Sequence, residues 1–308
     1  MLILSALVVG AWGLGLAALT RSQARLIFGR PRVLRAAPIG PHGHHRTHAV
    51  RLETQDCVSL QGWLTLPPGL PQWLAVWFGG RNEDVGWTPA IASWLGPAWA
   101  VCAFNYRGSV GSTGSPGEAA CVQDALAIAA WACAETGLPP TRVMLMGRSL
   151  GSGIAVQAAA RCSAAGLVLL SPPASLRRLV MRNPLLLPAL PWLRHPFDSL
   201  AVAPQIRVAS LVVLAECDRR VPHAESRRLA RALQGTLPAP LAKRSRVITI
   251  AGTDHRSLAR RAEALAVMAR FAGELATTPA PERRPGTPGP AAQGCDAIGA
   301  VNAPEPSP

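Results

Sequence analysis

Short apolar runs alternate along the chain with longer Ala-rich or amphipathic segments, and that rhythm predicts a sheet covered by helices. Residues 47–54 and 58–66 alternate polar with apolar positions, the pattern of an antiparallel opening pair. Strands are then predicted at 74–78, 100–104, 142–146 and 166–170, with helices at 89–95, 119–134 and 154–160 between them. Two more apolar runs, 210–215 and 246–250, close the sheet. Strands that are apolar throughout need cover on both faces, so the expected class is α/β with a mainly parallel, doubly wound sheet. In such a sheet functional groups collect at the carboxyl ends of the strands.

Two segments break the rhythm. Between 171 and 204, Arg177, Arg178, Arg182 and Arg194 are mixed with Leu185, Leu186, Leu187, Leu190, Trp192 and Phe197, a stretch too long for a simple connector. It is predicted to be a small cap, with apolar walls for an acyl or aromatic group and basic residues for a membrane; the alternative is a helix that merely covers the sheet. At the other end of the chain, residues 2–19 carry no charge and are long enough to span a bilayer. Residues 1–20 are therefore expected to form a single-pass transmembrane helix. A cleaved signal peptide is the rival, weakened by the missing positive n-region and by the length of the apolar run. Arg21, Arg25, Arg30, Arg32, Arg35, Arg46 and Arg51 follow, ahead of the first acid, Glu53, which places the following domain on the cytoplasmic side by the positive-inside rule. The expected organisation is an anchor at 1–20, a basic juxtamembrane linker at 21–46, a folded α/β domain at 47–276 and a disordered Pro-rich tail at 277–308. His42, His44, His45 and His48 read as part of the solvated tether, not as a metal site.

Composition narrows the partners. With 308 residues, 49% hydrophobic and 16% charged, the chain is long and apolar enough to bury a large core. Its net charge of +14 comes almost wholly from arginine, Lys243 being the only lysine. That favours attraction to anionic membrane lipids, although a GC-rich genome would give the same bias. No nucleic-acid-binding motif accompanies the charge, so no nucleic-acid partner is expected. Seven cysteines without a Cys-x-x-Cys argue against structural zinc and against a disulfide framework. Cys217, beside a candidate acid, reads as packed core.

The candidate chemistry lies where the strand at 142–146 ends. Gly147-Arg148-Ser149-Leu150-Gly151 is a Gly-x-Ser-x-Gly between a strand and a helix, the form of a nucleophile elbow. The motif alone is weak; its order after a strand and before a helix gives it force. A nucleophilic Ser needs an imidazole to take its proton and a carboxylate to orient that imidazole, and both should follow later strands. After 210–215 comes Glu216-Cys217-Asp218, and after 246–250 comes Gly252-Thr253-Asp254-His255. His255 is the expected base and Asp218 the expected acid, with Glu216 and Asp254 as alternative acids. His195 and His223 lack both the order and the preceding strand.

With these residues placed, the chain resembles the α/β-hydrolases over about residues 60–275. Asn105-Tyr106-Arg107-Gly108 and Gly111-Ser112-Thr113-Gly114-Ser115-Pro116 add to the likeness. They are similar to a turn and loop after the fourth strand in membrane-tethered bacterial hydrolases of the serine-aminopeptidase-like and acyl-protein-thioesterase-like branches. The resemblance implies an oxyanion hole from the Leu150 N–H and one N–H of the loop after 74–78, from Arg81 or alternatively Gly80. Gly79, Arg81 and Asn82 depart from the His-Gly-Asn or His-Gly-Gly usual there. The implied activity is that of a serine hydrolase cleaving an ester, thioester or amide of a small molecule, lipidated protein or peptide through a Ser149 acyl-enzyme. No metal or organic cofactor is implied. A non-catalytic membrane-tethered scaffold with the same fold, or an acyltransferase using the same triad, are the alternatives.

Overall fold

The computed structural model describes residues 2–29, 41–42, 44–182 and 184–277, with residues 2–12, 14, 16, 41, 42, 185 and 188 described by backbone alone. In chain order the elements are α1 (Leu2–Phe28), β1 (Pro41–His42), β2 (His45–Glu53), β3 (Ser59–Leu66), β4 (Trp73–Phe78), α2 (Pro89–Leu95), β5 (Trp99–Phe104) and α3 (Glu118–Thr136). They continue with β6 (Val143–Arg148), α4 (Leu150–Ala159), β7 (Gly166–Leu170), α5 (Leu176–Met181), α6 (Ser199–Val202), β8 (Ser210–Ala215), α7 (His223–Gln234), α8 (Ala239–Arg244), β9 (Arg246–Ile250) and α9 (Ala262–Ala276). The strands form one sheet in the order β1-β2-β3-β5-β4-β6-β7-β8-β9. β1 through β3 and the β3–β5 edge pair antiparallel, and every pair from β5–β4 to β8–β9 is parallel.

That order fixes where a site can form. From β4 the chain crosses through α2 to β5 on one side, whereas from β6 it crosses through α4 to β7 on the other. The two connections leave in opposite directions and open a crevice at the carboxyl ends of β4 and β6, the place where open α/β sheets bind ligands. Residues 79–83 follow β4 and Ser149 follows β6, so the crevice lies between them. The apolar character of β4, β5 and β8 is explained by burial of all six residues in each, with one packed cluster on either face of the sheet.

The opening pair, the parallel strands and the helices between them form where the apolar pattern places them, with ends moved by at most four residues. Three features differ from expectation. First, residues 21–28 are not linker: α1 runs on to Phe28, because nothing in Arg21–Phe28 breaks a helix until Gly29, at φ 92°. Second, β2 begins at His45, and His45 is buried within the sheet edge and not in a solvated tether. Third, Cys217 is exposed, since it stands two residues past the end of β8 in a loop. The segment 171–204 holds α5, a 3₁₀ stretch at Pro184–Trp192 and α6. It arches across α4, tied at one side by the Arg178–Glu225 ion pair to α7 (2.9 Å) and at the other by Trp192 and Arg194 to Gln23 of α1. Between these ties, Phe197 packs over Gly153 of α4.

Among the described residues no helix is long and apolar enough to cross a membrane. The anchor expected at 1–20 rests mainly on side chains outside the described residues, and the tail expected at 277–308 lies outside them from residue 278 onward.

Candidate active site

Ser149 sits at φ 52°, ψ −112°, a conformation that L side chains rarely adopt, and it holds there because its surroundings over-determine it. Its N–H donates to Leu170 O (2.9 Å), and Ser152 Oγ donates to Gly147 O (2.9 Å), tying the elbow to β7 and to itself. Both motif glycines are required by contact. A Cβ on Gly151 would overlap the carbonyl oxygens of Phe78 and Gly79, and one on Gly147 would overlap the carbonyl of Gly151. The close approach of elbow and β4 loop is what the motif makes possible.

The structure brings Ser149, His255 and Asp218 into one hydrogen-bonded chain. His255 Nε2 lies 3.0 Å from Ser149 Oγ, and His255 Nδ1 lies 2.8 Å from Asp218 Oδ2. The Asp218 side chain is 1% exposed and that of His255 7%. Burial by itself would raise the Asp218 pKa. The His255 hydrogen bond and the Val221 N–H outweigh it, and the carboxyl is lowered to about 2. Its other oxygen, Oδ1, accepts the N–H groups of Arg220 and Val221, each at 2.9 Å. An ionised Asp218 can only accept, so Nδ1 carries the imidazole proton and Nε2 presents its lone pair to Ser149.

The alternative acids are occupied elsewhere. Asp254 Oδ1 accepts the N–H groups of Arg256 (2.9 Å) and Ser257 (2.8 Å), closing the turn that carries His255. Glu216 is exposed and accepts the Gly252 N–H at 2.9 Å. Both acids shape the His255 loop, and a backbone bond from Cys217 N–H to Thr253 O (2.9 Å) joins that loop to the one bearing Asp218.

The two candidate oxyanion donors after β4 are distinguished by a residue that sequence reasoning missed. Glu83, with a side chain 5% exposed, accepts the Gly80 N–H at 2.6 Å, so that amide is spent. Arg81 N–H has no acceptor among the described residues. Leu150 is the first residue of α4, where a helix leaves its N–H groups unpaired. Glu83 also accepts Trp77 Nε1 (3.1 Å) and Trp87 Nε1 (2.9 Å) and pairs with Arg148 Nε at 2.9 Å. It thereby fastens the β4 loop to the elbow through the residue next to Ser149. The only signal in the sequence was an acid set between apolar, Trp-rich segments, with nothing local to show its partners.

The Tyr-Arg-Gly turn proves structural. Tyr106 Oη donates to Gly79 O at 2.6 Å, and burial pushes its phenol well above the usual range. Arg107 Nε donates to Asp124 Oδ2 (2.7 Å) and its Nη1 to Asp56 Oδ2 (2.7 Å), locking the turn onto α3.

Comparison with known proteins agrees with this geometry. A profile of the serine aminopeptidase S33 family matches residues 69–207. Two uncharacterised proteins of Mycobacterium tuberculosis are each 30% identical over 210 residues, covering 67% of this chain and 71% of the relative. Among solved structures, an esterase of Pyrococcus furiosus superposes with a TM-score of 0.62 at 15% identity, over 80% of this chain and 97% of that one. An acylaminoacyl peptidase of Pyrococcus horikoshii superposes with a TM-score of 0.55 at 15% identity, over 74% of this chain and 40% of that one. With its switch-point crevice, its strained elbow and these relatives, the chain belongs to the α/β-hydrolase superfamily.

Proposed function

We propose that the protein is a serine hydrolase that cleaves an ester, thioester or amide through an acyl-enzyme on Ser149. The observation that carries this reading is the unbroken chain from Ser149 Oγ to His255 Nε2 and from His255 Nδ1 to Asp218. As Ser149 Oγ attacks the substrate carbonyl, His255 Nε2 takes the hydroxyl proton, and buried Asp218 stabilises the imidazolium. The N–H groups of Leu150 and Arg81 receive the developing oxyanion. Collapse breaks the bond to the leaving group, which departs with the proton from His255. Water then repeats the sequence on the acyl-enzyme, giving up its proton to His255 and releasing the acid with free Ser149.

The reading extends to a membrane surface. Residues 2–19 are uncharged, and Leu26, Met181, Leu187 and Trp192 are exposed on α1 and the arch beside Arg21, Arg25 and Arg182. Large apolar side chains set among arginines suit an anionic bilayer, with the catalytic domain on its cytoplasmic side. Alkaline extraction of membranes tests this: protein recovered wholly in the supernatant excludes a spanning anchor.

The decisive experiment is labelling of the full-length protein by a fluorophosphonate probe. Wild type reacts and Ser149→Ala does not. A folded wild type that stays unlabelled rejects the hydrolase reading and favours the scaffold.

A further inference from the structure

The last two turns of α1 touch both segments that frame the site. On one side Gln23, a buried amide, donates from Nε2 to Trp192 O (2.8 Å) and accepts the Arg194 N–H at Oε1 (2.9 Å). One side chain thus holds the backbone of the arch at two points. The Phe28 ring, also buried, packs edge-on against His195 and Phe197, with centroids 5.7 and 5.9 Å apart. On the other side the helix end meets the loop after β4. Leu26 O accepts from Arg81 Nε at 2.7 Å, and Phe28 O accepts the Asn82 N–H at 3.3 Å.

These bonds follow from helix chemistry. The last four carbonyls of a helix have no N–H of their own helix to accept from, and the negative end of its dipole favours a guanidinium. The β4 loop supplies both a donor N–H and a cation. The fit is close: Gly29 turns at φ 92°, Asn82 at φ 58°, and a Cβ on Gly29 would overlap the Asn82 amide. Arg81, whose free N–H is the second oxyanion donor, therefore sits between two pinned neighbours. Gly80 is held by Glu83, Asn82 is held by α1, and the Arg81 side chain itself reaches back to the helix.

We propose that the last two turns of α1 are a positioning element for the oxyanion hole: docking of the helix end aims the Arg81 N–H at the reacting carbonyl. The proposal rests on the serine-hydrolase reading and adds to it that the N-terminal helix is part of the active-site architecture. An oxyanion donor works only when it is already aimed at the place where charge develops, so a slackened loop loses rate without losing substrate.

The test uses the full-length protein in detergent micelles with p-nitrophenyl acetate. Arg81→Met keeps the aliphatic stem, deletes the bond to Leu26 O and sits on the surface, where it does not threaten folding. It is expected to lower kcat by about tenfold to a hundredfold, somewhat less than the loss of a whole donor, and to leave KM within about twofold. The pH dependence of kcat stays at the wild-type position, because the triad is untouched. Arg81→Lys, which keeps a cation at the helix end, recovers most of the rate. Phe28→Ala, which loosens the helix from inside, is expected to speed hydrogen exchange at the Asn82 amide. Wild-type kcat in Arg81→Met together with unchanged exchange in Phe28→Ala overturns the proposal. If wild type fails to react with the fluorophosphonate, the hydrolase reading falls by itself; the exchange measurement still decides whether α1 holds the loop.

Discussion

Replacing Asp218 with Asn probes the triad with almost no change in volume, and the hydrogen bonds around the carboxylate dictate the outcome. Oδ1 accepts two backbone N–H groups, from Arg220 and Val221, each at 2.9 Å. An amide NH₂ at that place would face two donors, so the Asn oxygen takes it and the NH₂ turns to the position of Oδ2, 2.8 Å from His255 Nδ1. Nδ1 must then accept, which moves the imidazole proton to Nε2, 3.0 Å from Ser149 Oγ. An Nε2 that already carries a proton cannot take one from Ser149. The expected loss in kcat is on the order of 10⁴, equivalent to about 5.5 kcal/mol of transition-state stabilisation, while folding is nearly unaffected. Steady-state hydrolysis of a p-nitrophenyl ester, with the melting temperature as control, measures both. A purified Asp218→Asn protein that melts like wild type and retains kcat within tenfold would refute the assignment of Asp218.

Gly151→Ala drives a methyl group into the carbonyls of Phe78 and Gly79, so it is expected to destabilise by about 1–3 kcal/mol and to abolish hydrolysis by separating elbow and oxyanion loop; urea unfolding and ester assay read the two effects. Asp124→Ala leaves the buried Arg107 guanidinium without its inner partner, a loss of about 3 kcal/mol; a change under 1 kcal/mol in urea unfolding contradicts a structural role for this pair. His195 accepts the Glu118 N–H at Nδ1, and burial, aided by Arg194, holds its pKa below the ordinary value. The unfolded chain therefore binds the proton first, and this group's contribution to stability falls as pH drops below about 6.5. Neighbouring Glu118, whose carboxyl is raised by burial, slopes the other way, so the test is the difference in unfolding free energy between wild type and His195→Gln across pH 7 to 5. No change in that difference sinks the assignment.

What could be read from the sequence, and what could not, divides by the range of the interaction. The strands at 166–170 and 210–215 coincide with β7 and β8 because runs buried along their whole length and bounded by loop residues leave one packing solution, whereas β9 at 246–250 is an edge strand with Arg246 and Thr249 exposed and is marked by its β-branched Val247, Ile248 and Ile250. The elbow was legible because its two glycines answer a local crowding that any copy of the turn must meet. Asp218 is the acid the sequence order favours, but Glu216 and Asp254 stay open as alternatives because all three stand in strand-end loops; the His255 hydrogen bond to Asp218 and the other partners of Glu216 and Asp254 separate them. Likewise nothing near Gly80 says that its amide is taken; the answer comes from the orientation of Glu83. The basic run after residue 20 hid the reach of α1, because Gln23 looks solvent-facing until the backbone of Trp192 and Arg194 is set beside it.

That pairing also sets a timetable. Gln23 and the carbonyl it grips at Trp192 are separated by 169 positions. At about 5–20 residues per second, translation needs roughly ten to thirty seconds to supply the second after the first. Throughout that interval the Phe28 ring lacks the arch residues His195 and Phe197 that it packs against. The end of α1 thus waits for a segment made much later, and a nascent chain arrested before residue 192 should show Phe28 open to chaperones or lipid.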